Sequence, residues 1–325
     1  MIIAVDAMGG DFAPRVVVEG IVEAAKENFA DFILVGDENR IMELLKQKLP
    51  PRIEILHTDQ FVEMHESPTG ALKKKPNASV FVGAKLVRDG KAQALISAGN
   101  TGALLESALL FMGRIKGIKR PAIATFIPTR KSPCILLDSG ANVDCKPEFL
   151  LQFAQMASIY AEKIMGRENP KVGLLNIGEE ENKGDSLSQE AFKLLKSSGL
   201  NFVGNTEIKD FLSGKVDIAV CDGFVGNFVL KTAEATSDFL LSSIKSAVGE
   251  NLLSKLGGLL VKPALKNVKK KLDQSEYGGA PFFGVKGVCI KSHGRADAMA
   301  LYNAAKMAAR AIEQNLVETI STISA

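Results

Sequence analysis

Met1-Ile2-Ile3-Ala4-Val5-Asp6-Ala7-Met8-Gly9-Gly10-Asp11 opens the chain. A β-branched apolar run ends in a Gly-Gly turn that carries two carboxylates, and a helical pattern follows from Arg15. The stretch reads as strand, tight turn, helix. Glycine lets backbone N–H groups approach an anion without a Cβ in the way, and the helix N-terminus that follows favours negative charge. Alone, the same turn is equally suited to plain helix capping by its aspartates. Its weight comes from repetition along the chain.

Working outward, short apolar runs at Ile2–Val5, Phe32–Val35, Ile53–Leu56, Ala94–Ser97, Ala122–Phe126, Cys134–Leu137, Val172–Ile177, Phe202–Val203, Asp217–Cys221 and Val288–Lys291 read as strands. Between them lie helical patterns at Arg15–Phe29, Glu38–Lys48, Ala78–Val87, Gly102–Met112, Pro147–Met165, Ser186–Lys196 and Arg295–Leu316. Strands apolar on both faces, alternating with helices, imply a three-layer α/β/α fold with a mostly parallel sheet. Residues 1–325 read as a single domain, with a short junction between halves at Arg167-Glu168-Asn169-Pro170. Residues 239–272 depart from this rhythm and read as a projecting amphipathic helical pair. Leu252, Leu256, Leu259 and Leu260 recur at helical spacing, as do Leu265, Val268 and Leu272. Gly257-Gly258 and Pro263 allow a bend, and lysines outnumber acids across the segment. An apolar face of Leu256, Leu259, Leu260 and Val261 flanked by lysines suits an anionic lipid surface; a buried dimer interface would need the leucines but not the excess lysine.

In a parallel sheet the loops after the strands share one edge, where α/β proteins bind ligands. Those loops are Asp6-Ala7-Met8-Gly9-Gly10-Asp11, Ala98-Gly99-Asn100-Thr101-Gly102-Ala103, Asp138-Ser139-Gly140-Ala141-Asn142, Gly178-Glu179-Glu180-Glu181-Asn182-Lys183-Gly184, Asp222-Gly223-Phe224-Val225-Gly226-Asn227 and Ser292-His293-Gly294-Arg295. Six such turns on one edge point to a phosphate or carboxylate site. The chain lacks a phosphate-loop lysine motif, a G-x-G-x-x-G after the first strand and a G-x-S-x-G elbow, which disfavours nucleotidases, ordinary dinucleotide enzymes and serine hydrolases. Asp6 with Asp11, or Glu179 to Glu181, could hold a magnesium ion, but acids at helix starts answer the macrodipole equally well, and no metal is expected.

Composition bounds the rest. Hydrophobic residues make up 46% and charged residues 24%, an ordinary balance for a folded soluble chain. The net charge of +3 is too mild to imply nucleic acid, and with 6% aromatics and no tryptophan there are few stacking surfaces for single strands. Cys134, Cys145, Cys221 and Cys289 form no C-x-x-C pair and read as free thiols of a reducing, cytoplasmic compartment. No run reaches the length of a membrane-spanning helix.

Taken as a set, the turns resemble the bacterial phosphate acyltransferase family called PlsX. The likeness runs end to end and includes Asn176-Ile177-Gly178-Glu179-Glu180, Glu276-Tyr277-Gly278-Gly279-Ala280 and Ser292-His293-Gly294 besides the turns already quoted. Arg295 departs from the pattern, which has a small residue after His-Gly. The resemblance implies an α/β/α fold related to isocitrate and isopropylmalate dehydrogenases and to phosphotransacetylases. It implies transfer of a long-chain acyl group from acyl carrier protein to inorganic phosphate in phospholipid synthesis, without a cofactor. The implied setting is a cytoplasmic homodimer peripherally associated with the membrane, which supplies acyl-phosphate to a downstream membrane glycerol-3-phosphate acyltransferase.

The residues suit that chemistry. Phosphate is itself the nucleophile, so the enzyme must bind a dianion near a thioester and stabilise an oxyanion. Lys183, Asn227 and His293 are the catalytic candidates. Asp6, Gly9, Gly10, Asp11, Gly99, Asn100, Thr101, Gly102, Asp138, Gly140 and Asn142 are the phosphate- and acyl-binding candidates. Basic residues Lys73-Lys74-Lys75, Arg114, Lys116, Lys119 and Arg120 could steer an acidic carrier protein. Two other readings stay open: a decarboxylating NAD-dependent dehydrogenase of related fold, and a non-catalytic membrane platform that docks acyl carrier protein.

Overall fold

The computed structural model describes residues 1–249, 252–272 and 277–324. Glu276, part of one quoted motif, lies outside the described residues. Twelve strands are seen among them: β1 (Ile2–Asp6), β2 (Asp31–Gly36), β3 (Ile53–His57), β4 (Ala94–Ser97), β5 (Ala122–Ile123), β6 (Thr125–Ile127), β7 (Cys134–Leu137), β8 (Val172–Leu175), β9 (Phe202–Thr206), β10 (Ile218–Val220), β11 (Ala280–Phe283) and β12 (Val288–Lys291). The helices are α1 (Arg15–Lys26), α2 (Glu38–Leu44), α3 (Pro68–Lys74), α4 (Ser79–Arg88), α5 (Thr101–Ser107), α6 (Pro147–Lys163), α7 (Ser186–Lys196), α8 (Ile208–Ser213), α9 (Gly223–Gly249), α10 (Leu252–Leu272), α11 (Ala298–Glu313) and α12 (Leu316–Ser321).

The α/β/α architecture with mostly parallel strands is present, divided between two sheets. The first has the order β3-β2-β1-β4-β12-β11-β5, and the second β6-β7-β10-β8-β9. In the first, β3 through β12 run parallel, and β11 runs antiparallel to both of its neighbours, β12 and β5. In the second only β6 is antiparallel. The run Ala122–Phe126, expected as one strand, is the crossing point. Ala122 and Ile123 pair with β11, whereas Thr125 and Phe126 pair with β7. The chain therefore changes sheets at Ala124, and Arg167–Pro170 is not the junction. Arg167 instead lies inside the second sheet's neighbourhood, where its guanidinium donates to Asp217 Oδ1 at 2.9 Å, to Ser132 Oγ at 3.1 Å and to the Pro133 carbonyl.

Period-two alternation sorts the first sheet's side chains. Ile3 and Val5 face Val17, Ile21 and Leu301 of α1 and α11. Ala4, Val35 and Leu95 face Phe81 and Ala84 of α4. One core cluster also gathers Ile135, Leu137, Ile218 and Val220 of the second sheet with Phe153 and Ala157 of α6. Tyr160 bridges the sheets there, with ring centroids 5.6 Å from Phe126 and 5.1 Å from Phe283. Fully burying such a side chain stabilises by about 2 kcal/mol, so the shared cluster couples the sheets.

The sequence expectation omits β11 and the short helices α3, α8 and α12, and it starts the long helix too late. β11 contains Pro281 and follows Gly278-Gly279, a composition that argues against a strand; it survives near an antiparallel margin. The long helix starts at Gly223, well before Phe239. Asp222 caps it, with Oδ1 accepting from the N–H groups of Phe224 at 2.8 Å and Val225 at 2.9 Å. The segment expected to be a turn is thus the first turn of α9. α10 packs back on α9, where Gly258 meets Val248, and Leu259 and Leu260 on α10 are exposed.

Candidate active site

Each sheet edge is organised by one buried aspartate at the end of a strand. On the first, Asp6 accepts from Ser79 Oγ at 2.6 Å and Ser97 Oγ at 2.7 Å, and from the Met8 N–H at 3.3 Å. These bonds tie β1, α4 and β4 together. Burial nevertheless holds the Asp6 carboxyl above its ordinary pKa, against the pull of Ser79, Ser97, Met8 and Lys291. The turns after β1 and β4 meet backbone to backbone: a Cβ on Gly9 would lie 2.4 Å from Asp6 Oδ2 and 2.7 Å from the Gly99 nitrogen. The Asp11 N–H donates to the Gly294 carbonyl at 2.8 Å, which joins the third turn to the first.

On the second sheet Asp138 plays the same part. Its Oδ1 accepts from the N–H groups of Ile123 at 3.0 Å, Gly140 at 3.2 Å and Ala141 at 3.1 Å. Its Oδ2 accepts from the backbone N–H and side-chain Nδ2 of Asn142, at 2.7 and 2.9 Å. Here too burial raises the pKa despite these donors. Asn142 also donates to the Pro121 carbonyl at 2.7 Å. Gly223 and Gly226 bring α9 onto this turn, so that Asn227 lies beside Gly140.

The polar ends of Asp6, Asp138, Asn100 and Asn142 are therefore engaged within the protein. Asn100 caps α5 by accepting from the Ala103 N–H at 3.0 Å, and it donates to the carbonyls of Met64 and Glu66, each at 3.0 Å. Thr101 and Asp11 are exposed. Arg295, the departure from the family pattern, faces Asp11 with Nε 3.8 Å from Oδ2; both are exposed, so the pair contributes little. Among the described residues the N–H groups of Gly9, Gly10, Thr101 and Gly102 have no acceptor in the protein. Glu179 and Glu181, weighed as magnesium ligands, are paired with Lys215 at 3.0 Å and Lys196 at 2.7 Å.

The three catalytic candidates present unspent groups. Lys183 is exposed, with its stem across Gly178, and its ammonium has no acidic partner among the described residues. Asn227 is exposed on α9, one strand end away from Lys183, since β10 and β8 are neighbours. His293 accepts from the Arg295 N–H through Nδ1 at 3.1 Å. In its neutral form its proton is then on Nε2, which remains a donor. Burial lowers the His293 pKa; Glu234 opposes this, and Lys291, Lys231 and Arg295 add to it. Lys231 and Glu234 belong to α9, joined by a 2.7 Å ion pair. Helix α9, which carries Asn227, thus also places Lys231 and Glu234 within electrostatic reach of His293 at the first sheet's edge.

Sequence reasoning passed over Lys291. It is the last residue of β12, only 8% exposed, with Nζ donating to the Ala98 carbonyl at 3.2 Å and to the Ser292 carbonyl. Burial pulls its pKa down to about 8, and Asp6 and Asp11 resist that shift while Lys231 adds to it. The available signal was a lysine closing an apolar strand directly before Ser-His-Gly. No thiol is activated: burial raises Cys134, Cys221 and Cys289, and pushes Cys145 up to about 12.

Comparison with known proteins gives the family and the fold. The profile of the family described as "Fatty acid synthesis protein" matches residues 1–319. A phosphate acyltransferase from Moorella thermoacetica is 50% identical over 99% of this chain and 96% of its own. One from Dictyoglomus thermophilum is 49% identical over 100% and 99%. Among solved structures, a phosphotransacetylase from Streptococcus pyogenes superposes with a TM-score of 0.65 at 18% identity, covering 96% of this chain and 94% of that one. A 4-hydroxythreonine-4-phosphate dehydrogenase from Klebsiella pneumoniae does so with a TM-score of 0.55 at 13% identity, covering 95% and 99%. At such identities these two likenesses establish the fold alone.

Proposed function

The chain belongs to the phosphate acyltransferase family, and from that premise we propose that it moves a long-chain acyl group from the phosphopantetheine thiol of acyl carrier protein to inorganic phosphate, in phospholipid synthesis. The observation that carries this reading is the division of labour at the strand ends. Asp6, Asn100, Asp138 and Asn142 are consumed in holding turns, whereas Lys183, Asn227 and His293 Nε2 are left to act on something else.

In this reading phosphate sits over the turns at Gly9–Gly10 and Gly99–Gly102, held by backbone N–H groups. A phosphate oxygen attacks the thioester carbonyl carbon. Lys183 and Asn227 stabilise the oxyanion that forms, and His293 donates through Nε2. The C–S bond then breaks. A thiol with a pKa of about 8.5 leaves readily as thiolate and takes its proton from solvent, so no strong acid is required. Exposed Lys73, Lys74, Lys119 and Arg120 could steer an acidic carrier protein, whereas Lys75 is held by Glu66 at 2.7 Å.

The test is to incubate purified protein with a long-chain acyl carrier protein and inorganic phosphate and to assay free thiol. Phosphate-dependent thiol release is expected. Thiol release that ignores phosphate, or none at all, would sink the reading, and reduction of NAD by a hydroxy acid would favour the dehydrogenase.

We further read residues 1–325 as one domain, on the strength of the core common to both sheets, and α9–α10 as the site of homodimer and membrane contact. No helix among the described residues is long and apolar enough to cross a membrane. Leu256, Leu259, Leu260 and Val261 are exposed, Leu260 by 84%, beside exposed Lys255, Lys262 and Lys266. An apolar patch rimmed by cations suits an anionic interface. Leu259→Glu combined with Leu260→Glu is expected to abolish sedimentation with anionic vesicles and to leave turnover of soluble acyl donor within about 2-fold, as expected of a change far from the chemistry. A folded double variant that still sediments would remove the segment as anchor.

A further inference from the structure

A lysine buried to 8% exposure with no ion-pair partner closer than 4.0 Å among the described residues demands an explanation. An ammonium has three N–H donors, and Lys291 uses two of them, on the carbonyls of Ala98 and Ser292. The Ala98 oxygen that accepts from Lys291 at 3.2 Å also lies 3.4 Å from where a Cβ on Gly10 would be. The ammonium is therefore seated beside the Gly9–Gly10 turn, whose N–H groups have no acceptor in the protein among the described residues.

The surrounding charges come from every neighbouring element. Asp6 of β1 and Asp11 of the first turn are attractive, Lys231 of α9 is repulsive, and His293 is two residues away along the chain. Asp6 is committed to Ser79 and Ser97, and Asp11 is exposed and faces Arg295. Neither neutralises Lys291 by direct contact. A dianion placed against the third N–H and the free backbone donors would.

We propose that the Lys291 ammonium, fixed on the Ala98 carbonyl beside Gly10, is the cation that binds inorganic phosphate at the edge of the first sheet. This rests on the phosphate acyltransferase reading and adds to it a residue outside the exposed catalytic set. It gives the two edges separate tasks: Lys291 holds the nucleophile, and Lys183 and Asn227 face the thioester.

Lys291→Met keeps the length of the stem and removes the charge. It is expected to raise the KM for phosphate about 10- to 100-fold, the worth of a charge-assisted hydrogen bond, with a much smaller change in the KM for acyl donor. A second readout is the rise in thermal midpoint on adding inorganic phosphate, which the variant should lose. Wild-type kcat/KM for phosphate should also fall as pH rises through about 8, where Lys291 loses its proton, and the folded variant should lack that limb. A folded variant with the wild-type phosphate KM and thermal response overturns the assignment. Should the variant fail to fold, a wild-type phosphate profile that stays flat from about pH 7 to about pH 9.5 overturns it instead. A wild-type protein with no phosphate-dependent thiol release would overturn the functional reading itself, a separate result.

Discussion

Lys183→Ala and Asn227→Ala should each lower kcat about 100-fold or more, the usual effect of removing one preorganised donor to a developing oxyanion. Their thermal midpoints should scarcely move. Both side chains are exposed, and neither ends in a hydrogen bond or ion pair within the protein among the described residues. Surface changes of that kind usually alter stability by less than about 0.5 kcal/mol. A large loss of turnover with unchanged stability is the signature of a group that acts on the reacting atoms. Truncating a hub such as Asp138 would lower both together, because five donors would lose their acceptor. Saturating kinetics and thermal melts on the same preparations separate the two. Near-wild-type turnover in folded Lys183→Ala or Asn227→Ala would remove that residue from the catalytic centre.

The division between spent and unspent groups also marks what the amino-acid sequence can reveal. Ala94–Ser97, Cys134–Leu137, Val288–Lys291 and Ser186–Lys196 fall where their apolar patterns and flanking turn residues put them, because local chemistry sets those limits. The Ala122–Phe126 run is locally one strand; its break at Ala124 is imposed by two sheets competing for its hydrogen bonds. Gly223 and Gly226 look like loop residues by composition, yet they sit in a helix capped by Asp222, and they are glycine because the 138–142 turn approaches too closely for a side chain. Asp6 and Asp138 are legible as important strand-end carboxylates. The direction of each depends on donors far along the chain, Ser79 and Ser97 for one and Ile123 for the other. Lys291 is hidden for the same reason: its burial follows from the Ala98 loop laid over it, which only the fold supplies.

Gly226→Ala sets local preference directly against tertiary contact. In a helix, alanine is favoured over glycine by about 1 kcal/mol, and by that rule alone the variant of α9 would be more stable. The new Cβ would lie 1.8 Å from the Asp138 carbonyl oxygen and 2.9 Å from its carbon. That carbonyl cannot yield cheaply, because the Asp138 side chain is clamped by Ile123, Gly140, Ala141 and Asn142. The helix must move instead, and overpacking of this kind costs about 3 kcal/mol, so the net expectation is clear destabilisation. Asn227 is the next residue and would be carried away from Gly140, so turnover should fall along with the thermal midpoint. Gly257→Ala supplies the control on the same helical pair. Nothing lies within 4 Å of its Cβ position, so the helix preference is unopposed and the midpoint should rise, by about 1 kcal/mol of stability at most. Thermal melts of the two variants side by side decide the point. If Gly226→Ala were stabilising like Gly257→Ala, the close seating of α9 on the Asp138 turn, and with it the placement of Asn227 beside Gly140, would have to be abandoned.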